Sequence, residues 1–405
     1  MPDRAVKRFW PAGSPAAAGG MIGRSAMPFR LPTRALIAPG CLERLPEVAA
    51  SYSPRRALLA TDRGLEASGL PERLRHGLAG RGLSVVTFAE IEANPRCATV
   101  DRMADWARGE GVDLVIGLGG GSALDAGKAA AMLVPNGGSI AGYEGRDKFA
   151  RKPLPFLAVP TTCGTGSEVT WVAVLTQPER LWKLSVKGEG MFPDWAFVDA
   201  DLVATLPPRF VAWTGMDALT HALEAVTGRP ANPASDALAL RAIALLFRYL
   251  RRAAEDVAGD AEARARVMEA ATLAGMAFGN ADVGAVHCLS ETLGARWDLP
   301  HGLLNAVLVA PVLRSHLPAV RGRLAALDTR LPGGSTSADD DERAERVLLS
   351  IEALAAALGI PPFAELGIPE KDFPWIARRA AENGSNASSP REMGPPEYLA
   401  LLQSL

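Results

Sequence analysis

The chain has few histidines, few cysteines and no charge of one sign in excess. Its 405 residues include five histidines, four cysteines and four tyrosines. Forty-three basic residues stand against 45 acidic ones, a net charge of −2. That balance gives no reason to expect nucleic acid or an anionic membrane as a partner. Cys41, Cys97, Cys163 and Cys288 are scattered and form no CxxC pair. They suggest neither a disulfide framework nor a thiolate metal site, and they fit a reducing, cytoplasmic setting. No apolar run approaches the roughly 20 residues that span a bilayer. Residues 1–29 are rich in Ala, Gly and Pro and lack the continuous apolar stretch of a secretory signal. They read as a disordered extension, or as residues ahead of a start at Met21 or Met27.

What is present is ordinary for a globular protein: 48% hydrophobic and 22% charged residues. The length exceeds one typical core, so two domains are expected. In the first half, short apolar runs alternate with helical stretches. Ala57–Thr61, Ser84–Phe88, Leu114–Leu118 and Phe156–Pro160 read as strands. Continuous apolar strands separated by helices imply a parallel sheet covered on both faces, which binds ligands at the carboxyl ends of its strands. The pattern changes near Leu206-Pro207-Pro208, after which long Ala/Leu-rich helical stretches such as 235–254 and 261–279 follow. Residues 332–342 read as a polar loop between helices. The expected organisation is an extension over 1–29, an α/β nucleotide-binding domain over 30–206 with a Rossmann-like parallel sheet, and an all-α metal-binding domain over 207–405.

Three of the five histidines fall in a short region with one aspartate. Asp217 and His221 are four residues apart in Gly215-Met216-Asp217-Ala218-Leu219-Thr220-His221, which puts both on one helix face. His287 and His301 follow, the latter in Pro300-His301-Gly302. One carboxylate and three imidazoles make a mixed O/N donor set suited to a divalent first-row metal. A lone helical Asp/His pair is more often a surface or capping pair; the two further histidines reverse that preference. His76 and His316 lack such context and read as structural or exposed.

Two loops carry nucleotide-binding signals. Gly119-Gly120-Gly121-Ser122 follows the third strand and opens a helix. Glycines there let backbone N–H groups approach a phosphate, and the helix N-terminus adds partial positive charge. The spacing is not GxGxxG, and an ordinary tight turn remains the alternative. Thr161-Thr162-Cys163-Gly164-Thr165-Gly166-Ser167 follows the fourth strand. Its small hydroxyl residues, Thr161, Thr162 and Thr165 among them, suit a pyrophosphate or ribose, or else cap the next element. Asp62 follows the first strand, where a carboxylate can bind ribose hydroxyls and repel a 2′-phosphate; a turn or N-cap aspartate is the plainer alternative.

Taken together and in this order, these motifs resemble the iron-containing (group III) alcohol dehydrogenase family, from about Phe29 to the C-terminus. The match includes Thr61-Asp62, Asn94-Pro95, Gly164-Thr165-Gly166-Ser167-Glu168-Val169-Thr170 and Pro300-His301-Gly302-Leu303-Leu304-Asn305-Ala306. The resemblance implies a dehydroquinate synthase-like architecture with the active site in the cleft between its two parts. It implies a metal held by Asp217, His221, His287 and His301, Fe²⁺ by default and Zn²⁺ as the alternative. It implies cofactor contacts at Asp62, Asn94, Gly120, Gly121, Ser122, Thr161, Thr162 and Lys183, with NAD preferred over NADP. Phe278 and Trp171 fall at substrate-pocket positions, which core packing explains equally well. One departure stands out: where many members carry a further histidine four residues after the third ligand, this chain has Glu291. That carboxylate is a candidate proton relay, a partner orienting a ligand imidazole, a fifth donor, or half of an ion pair with Arg296. Asp282 is also unexpected in place of a small or apolar residue.

The implied activity is metal-dependent hydride transfer between a small alcohol and NAD, or the reverse from an aldehyde or ketone. The rivals are a metal- and NAD-dependent lyase of dehydroquinate synthase type, a hydroxyacid-oxoacid-type transhydrogenase, and a metal-independent reductase. The helices and apolar content permit a homodimer.

Overall fold

The computed structural model describes residues 28–335 and 337–405, so the expected extension lies outside the described residues except for its last two positions. The strands are β1 (Arg34–Ile37), β2 (Ala57–Ala60), β3 (Val85–Phe88), β4 (Leu114–Gly119), β5 (Gly145–Arg146), β6 (Phe156–Pro160), β7 (Val172–Gln177), β8 (Trp182–Lys187) and β9 (Trp195–Val198). Six of them form one all-parallel sheet in the order β1-β9-β6-β4-β2-β3. The four strands expected from sequence are all present. The partners β1 and β9 were not expected; β1 includes Arg34 and is buried at none of its four positions, so it lacks the continuous apolar pattern.

The first helices are α1 (Leu45–Ser51), α2 (Leu70–Ala79), α3 (Cys97–Gly109) and α4 (Gly121–Asn136). They cover both faces of the sheet, and the apolar strands split residue by residue between two cores. Leu59, Ile116 and Leu157 pack with Leu45 of α1 and Leu74 and Leu78 of α2. Leu58, Val115 and Ala158 pack with Val100 and Met103 of α3 and Leu124 and Met132 of α4. A run such as Ala57–Ala60 is apolar throughout because each side of the strand meets its own helices.

β5, β7 and β8 make a second, three-stranded sheet, with β7 antiparallel to β8. It was not anticipated, although the last four residues of β8, 184–187, alternate in burial as a half-covered strand does. From Pro208 onward the described chain is helical: α5 (Pro208–Thr227), α6 (Pro233–Glu255), α7 (Ala261–Phe278), α8 (Ala285–Trp297), α9 (His301–Ser315), α10 (Leu317–Asp328), α11 (Asp340–Ala357), α12 (Phe373–Glu382) and α13 (Pro395–Gln403). Proline at the first position suits the start of α5, where no intrahelical bond is lost. Asn232 caps α6 and Asp260 caps α7. The expected loop at 332–342 is shorter at its far end, because Asp339 caps α11 and starts it at Asp340. Among the described residues no single helix is long and apolar enough to cross a membrane.

His316, between α9 and α10, is buried, and its Nε2 lies 3.2 Å from Met393 Sδ. It is structural rather than exposed, whereas His76 is exposed. Burial first, then the Arg391 charge, lowers its pKa to about 4 against a weaker opposing pull from Glu224. A group depressed on folding takes up its proton first in the unfolded chain, so the stability it protects is present above about pH 6.5 and lost as pH falls toward 4. The loss is on the order of 3 kcal/mol. Urea midpoints between pH 7 and pH 4 should fall less steeply for His316→Leu than for the parent.

Candidate active site

The cleft lies where the carboxyl ends of the parallel strands face the helical layer. The chain leaves β2 outward to β3 and returns to β4 on the other side of β2. Loops after β2 and β4 therefore part at a topological switch point, the usual ligand crevice of such sheets. A cavity of about 720 Å³ opens there. Gly120, Gly121 and Ser122 at the start of α4 line it, together with Thr162 and Thr165 from the next loop. A methyl group on Gly121 would sit 2.5 Å from Thr165 Cγ2, so only glycine lets the two loops close against each other.

Asn94 and Lys183 also line the cavity, and Lys183 Nζ donates to Asn94 Oδ1 at 2.7 Å. Asn94 in turn donates to Asp298. Burial lowers the Lys183 pKa, opposed by Glu291, Asp298 and other acids nearby. The remaining expected cofactor residues do not line this cavity. Gly119 ends β4 in the interior and accepts from Thr161 N, which is also buried. Asp62 accepts from Leu65 N and caps the one-turn helix Arg63–Glu66, as the plainer sequence reading allowed.

Beneath the glycine turn lies a buried polar cluster that sequence reading did not anticipate. Lys128 Nζ donates to Ser167 Oγ and to the carbonyl of Val172. Asp125 accepts from Ser167 Oγ and from Val174 N. Burial pushes the Lys128 ammonium down to about 8, against the pull of Asp125 and Glu168. These contacts fix α4 to β7, and so fix the start of α4 in the cleft.

The helical side brings the four expected metal ligands together. Asp217 and His221 project from α5, His287 from α8 and His301 from the first turn of α9. One donor atom from each lies within 4.8 Å of all the others. Asp217 Oδ1 is 3.9 Å from His221 Nδ1 and 3.7 Å from His301 Nε2. Gly302 makes this approach possible, because a methyl group there would meet the Trp213 carbonyl of α5 at 2.6 Å. Asp217, His221 and His287 are buried, while the His301 side chain keeps 27% of its surface at the cavity wall. Burial works to raise the Asp217 pKa, but His221, His301, His287 and the Asn305 amide outweigh it and hold the carboxyl below its usual range. Phe278 stacks on His221 at 4.2 Å between ring centroids, with the planes 16° apart.

Glu224 is part of this centre and was missed. Its Oε2 is 2.5 Å from His287 Nδ1, and its Oε1 accepts from Val286 N at 2.8 Å. With Nδ1–H donating to the carboxylate, the His287 Nε2 lone pair points inward among the other donors. The sequence did carry a signal: Asp217, His221 and Glu224 fall at i, i+4 and i+7 of one helix, with Glu224 alone among Ala, Leu and Val. The donor set suits a dication. It offers one carboxylate, imidazoles buried with inward lone pairs, and a buried His221 Nδ1 with no hydrogen-bond partner among the described residues.

Glu291 lines the cavity one turn after His287, where Asn383 Nδ2 donates to its Oε2 at 2.6 Å. The expected alternative of an ion pair with Arg296 is not formed: Arg296 pairs with Asp372 at 2.8 Å. Asp282 also lines the cavity, in a left-handed backbone conformation, accepting from Ser388 Oγ. Trp171 and Phe278 line it as well. Cys288 is fully buried packing.

Comparison with known proteins decides the family. The family profile described as iron-containing alcohol dehydrogenase matches residues 32–200, and the profile of that family's C-terminal part matches residues 211–405. The chain belongs to the iron-containing alcohol dehydrogenases. Members of this family are iron-containing, NAD-linked oxidoreductases. Alcohol dehydrogenase 4 of Schizosaccharomyces pombe is 35% identical over 385 residues, covering 94% of this chain and 90% of its own length. The NAD-dependent methanol dehydrogenase of Bacillus methanolicus is 33% identical over 364 residues, covering 90% of this chain and 95% of its own. The solved alcohol dehydrogenase of Oenococcus oeni superposes with a TM-score of 0.90 at 31% identity, covering 94% of this chain and 100% of that one. These relatives do not favour the lyase weighed from sequence.

Glu224→Gln keeps the side chain's size but removes the charge that fixes the His287 tautomer. It should weaken divalent metal binding by about 10–100-fold. Metal retained after equilibrium dialysis against graded chelator measures this directly.

Proposed function

We propose that this protein interconverts small alcohols and the matching aldehydes or ketones, using NAD and a ferrous ion held by Asp217, His221, His287 and His301. The observation that carries the reading is the meeting of those four donors in the wall of the same cavity that holds the start of α4. When bound, the cation supplies Lewis acidity to the substrate oxygen and the nicotinamide supplies a hydride acceptor or donor. Zn²⁺ accepts the same donors. Residues 30–206 serve as the nucleotide-binding domain and 207–405 as the metal-binding domain.

In this reading the backbone N–H groups of Gly120, Gly121 and Ser122 hold the cofactor's pyrophosphate at the helix N-terminus. Gly119 shapes the turn beneath them. Thr161, Thr162 and Thr165 close the opposite side, and Asn94 with Lys183 holds the nicotinamide ribose. Asp62 gives the adenosine ribose a carboxylate that favours NAD over NADP, in addition to its capping bond. Trp171, Phe278 and Val283 narrow the substrate end and exclude water beside the donors. Glu291 takes the proton leaving the alcohol on Oε1, while Asn383 keeps Oε2 fixed. A cytoplasmic setting is part of the same proposal, supported by four buried free cysteines. Homodimer formation is part of it too.

The test is anaerobic Fe²⁺-loaded protein with NAD and a panel of primary alcohols, followed at the NADH band. Metal-dependent NADH formation, lost in His287→Ala, is the expected result; bound metal without net NADH would overturn it. Glu291→Gln should lower kcat by about 100-fold or more with metal content unchanged, the range of one acid–base group. Added buffer base should restore part of that rate in the variant and none in the parent.

A further inference from the structure

Asn305 lies one turn after His301 on α9 and is fully buried. Its Nδ2 is 2.6 Å from Asp217 Oδ1 and 3.1 Å from Nε2 of both His287 and His301. Three of the four donor atoms therefore converge on one amide. An amide nitrogen has two hydrogens and can satisfy two of the three at most. The other end of the side chain is unlike the first: Oδ1 is buried with no hydrogen-bond partner among the described residues. An unpaired buried oxygen is costly, and the neighbouring core positions Leu304 and Leu308 hold apolar side chains. Packing of α9 does not call for an amide here. The contacts to Asp217 and the two imidazoles do.

We propose that Asn305 is a positioning residue of the metal centre, donating to Asp217 Oδ1 so that this oxygen stays turned toward the imidazoles and the carboxylate presents one fixed lone pair to a dication. The Asp217 oxygen that Asn305 holds is the one facing both His221 and His301. The hydrogen bond from Asn305 holds the plane of the Asp217 carboxylate at one angle about its Cβ–Cγ bond. Asn305 thus does for Asp217 what Glu224 does for His287. The inference rests on the ligand assignment under Proposed function.

The test uses full-length protein and Co²⁺ as the probe, with dissociation constants and the visible Co²⁺ spectrum read by titration. Thermal midpoints of the metal-free proteins are measured alongside. Asn305→Leu keeps the size and removes every polar atom. It should weaken Co²⁺ binding about 10–100-fold and alter the spectrum, as loss of a partner to a ligand does, and lower the metal-free midpoint, because the buried Asp217 carboxylate loses a donor. Asn305→Asp places a second carboxylate against Asp217. It should lower the metal-free midpoint and tighten Co²⁺ binding, because two close carboxylates repel until a cation lies between them. Loss of affinity with an altered spectrum in Asn305→Leu is not expected of a residue that only packs. Parental Co²⁺ affinity and spectrum in both variants, whatever their midpoints, would overturn the inference while leaving the ligand assignment intact. If Asn305→Leu fails to fold, Asn305→Ala, which removes the same donor with less bulk, is titrated in its place. A parent that binds no Co²⁺ would sink the ligand assignment first, and the role of Asn305 with it.

Discussion

The buried charge of Asp217 is the constraint on which the rest of the cleft depends. A carboxylate with 1% of its surface exposed, at the meeting of α5, α8 and α9, is unfavourable unless its neighbours answer it. They do so with three imidazoles and an amide, all directed at one point. Each answering group then needs its own support. His287 receives it from Glu224, His221 from the stacked ring of Phe278, and His301 from the close approach that Gly302 permits. The centre is a hierarchy: one charge sets the requirement, a first ring of groups meets it, and a second ring fixes their orientation.

The sheet side is organised by geometry more than by charge. A parallel sheet brings several loops to one end, and its strand order parts two of them. The glycine turn leans on Thr165, and the ion pair of buried Lys128 with half-buried Asp125, 3.7 Å apart, anchors the helix behind it. Such a pair adds little net stability against an apolar replacement, so its value here lies in fixing where α4 begins.

Much of the architecture was legible in the sequence for reasons that can be named. The central strands are apolar on both faces and stood out; β1 carries Arg34 and is nowhere buried, and the second sheet was hidden between polar turns. The meeting of Asp217 with three histidines was legible because histidine is scarce here and Asp217 and His221 share one helical face. Glu224 and Asn305 were not read as site residues, because a single polar side chain in an apolar helix says nothing until its partner's position is known. Glu224 meets His287 across 63 positions of chain, and Asn305 meets Asp217 across 88. Asp62, Gly119 and Thr161 lie in the expected loops but are not among the residues that line the cavity. Order along the chain identifies a loop; which of its atoms faces the ligand depends on the opposing loop.

The small sheet of β5, β7 and β8 belongs wholly to neither layer. On one side Lys128 and Asp125 hold the backbone of β7 through Val172 and Val174. On the other, Trp171 donates to the carbonyl of Gly279 just past α7, and Arg379 of α12 lies 4.3 Å over the ring of Trp182. Mechanically this is a rivet driven through two plates. Sliding the helical plate over the sheet would have to break bonds at one end of the rivet or shear the β7–β8 ladder, and either route opens the cavity wall itself. The width of the cleft is thereby set by the same few residues that line it.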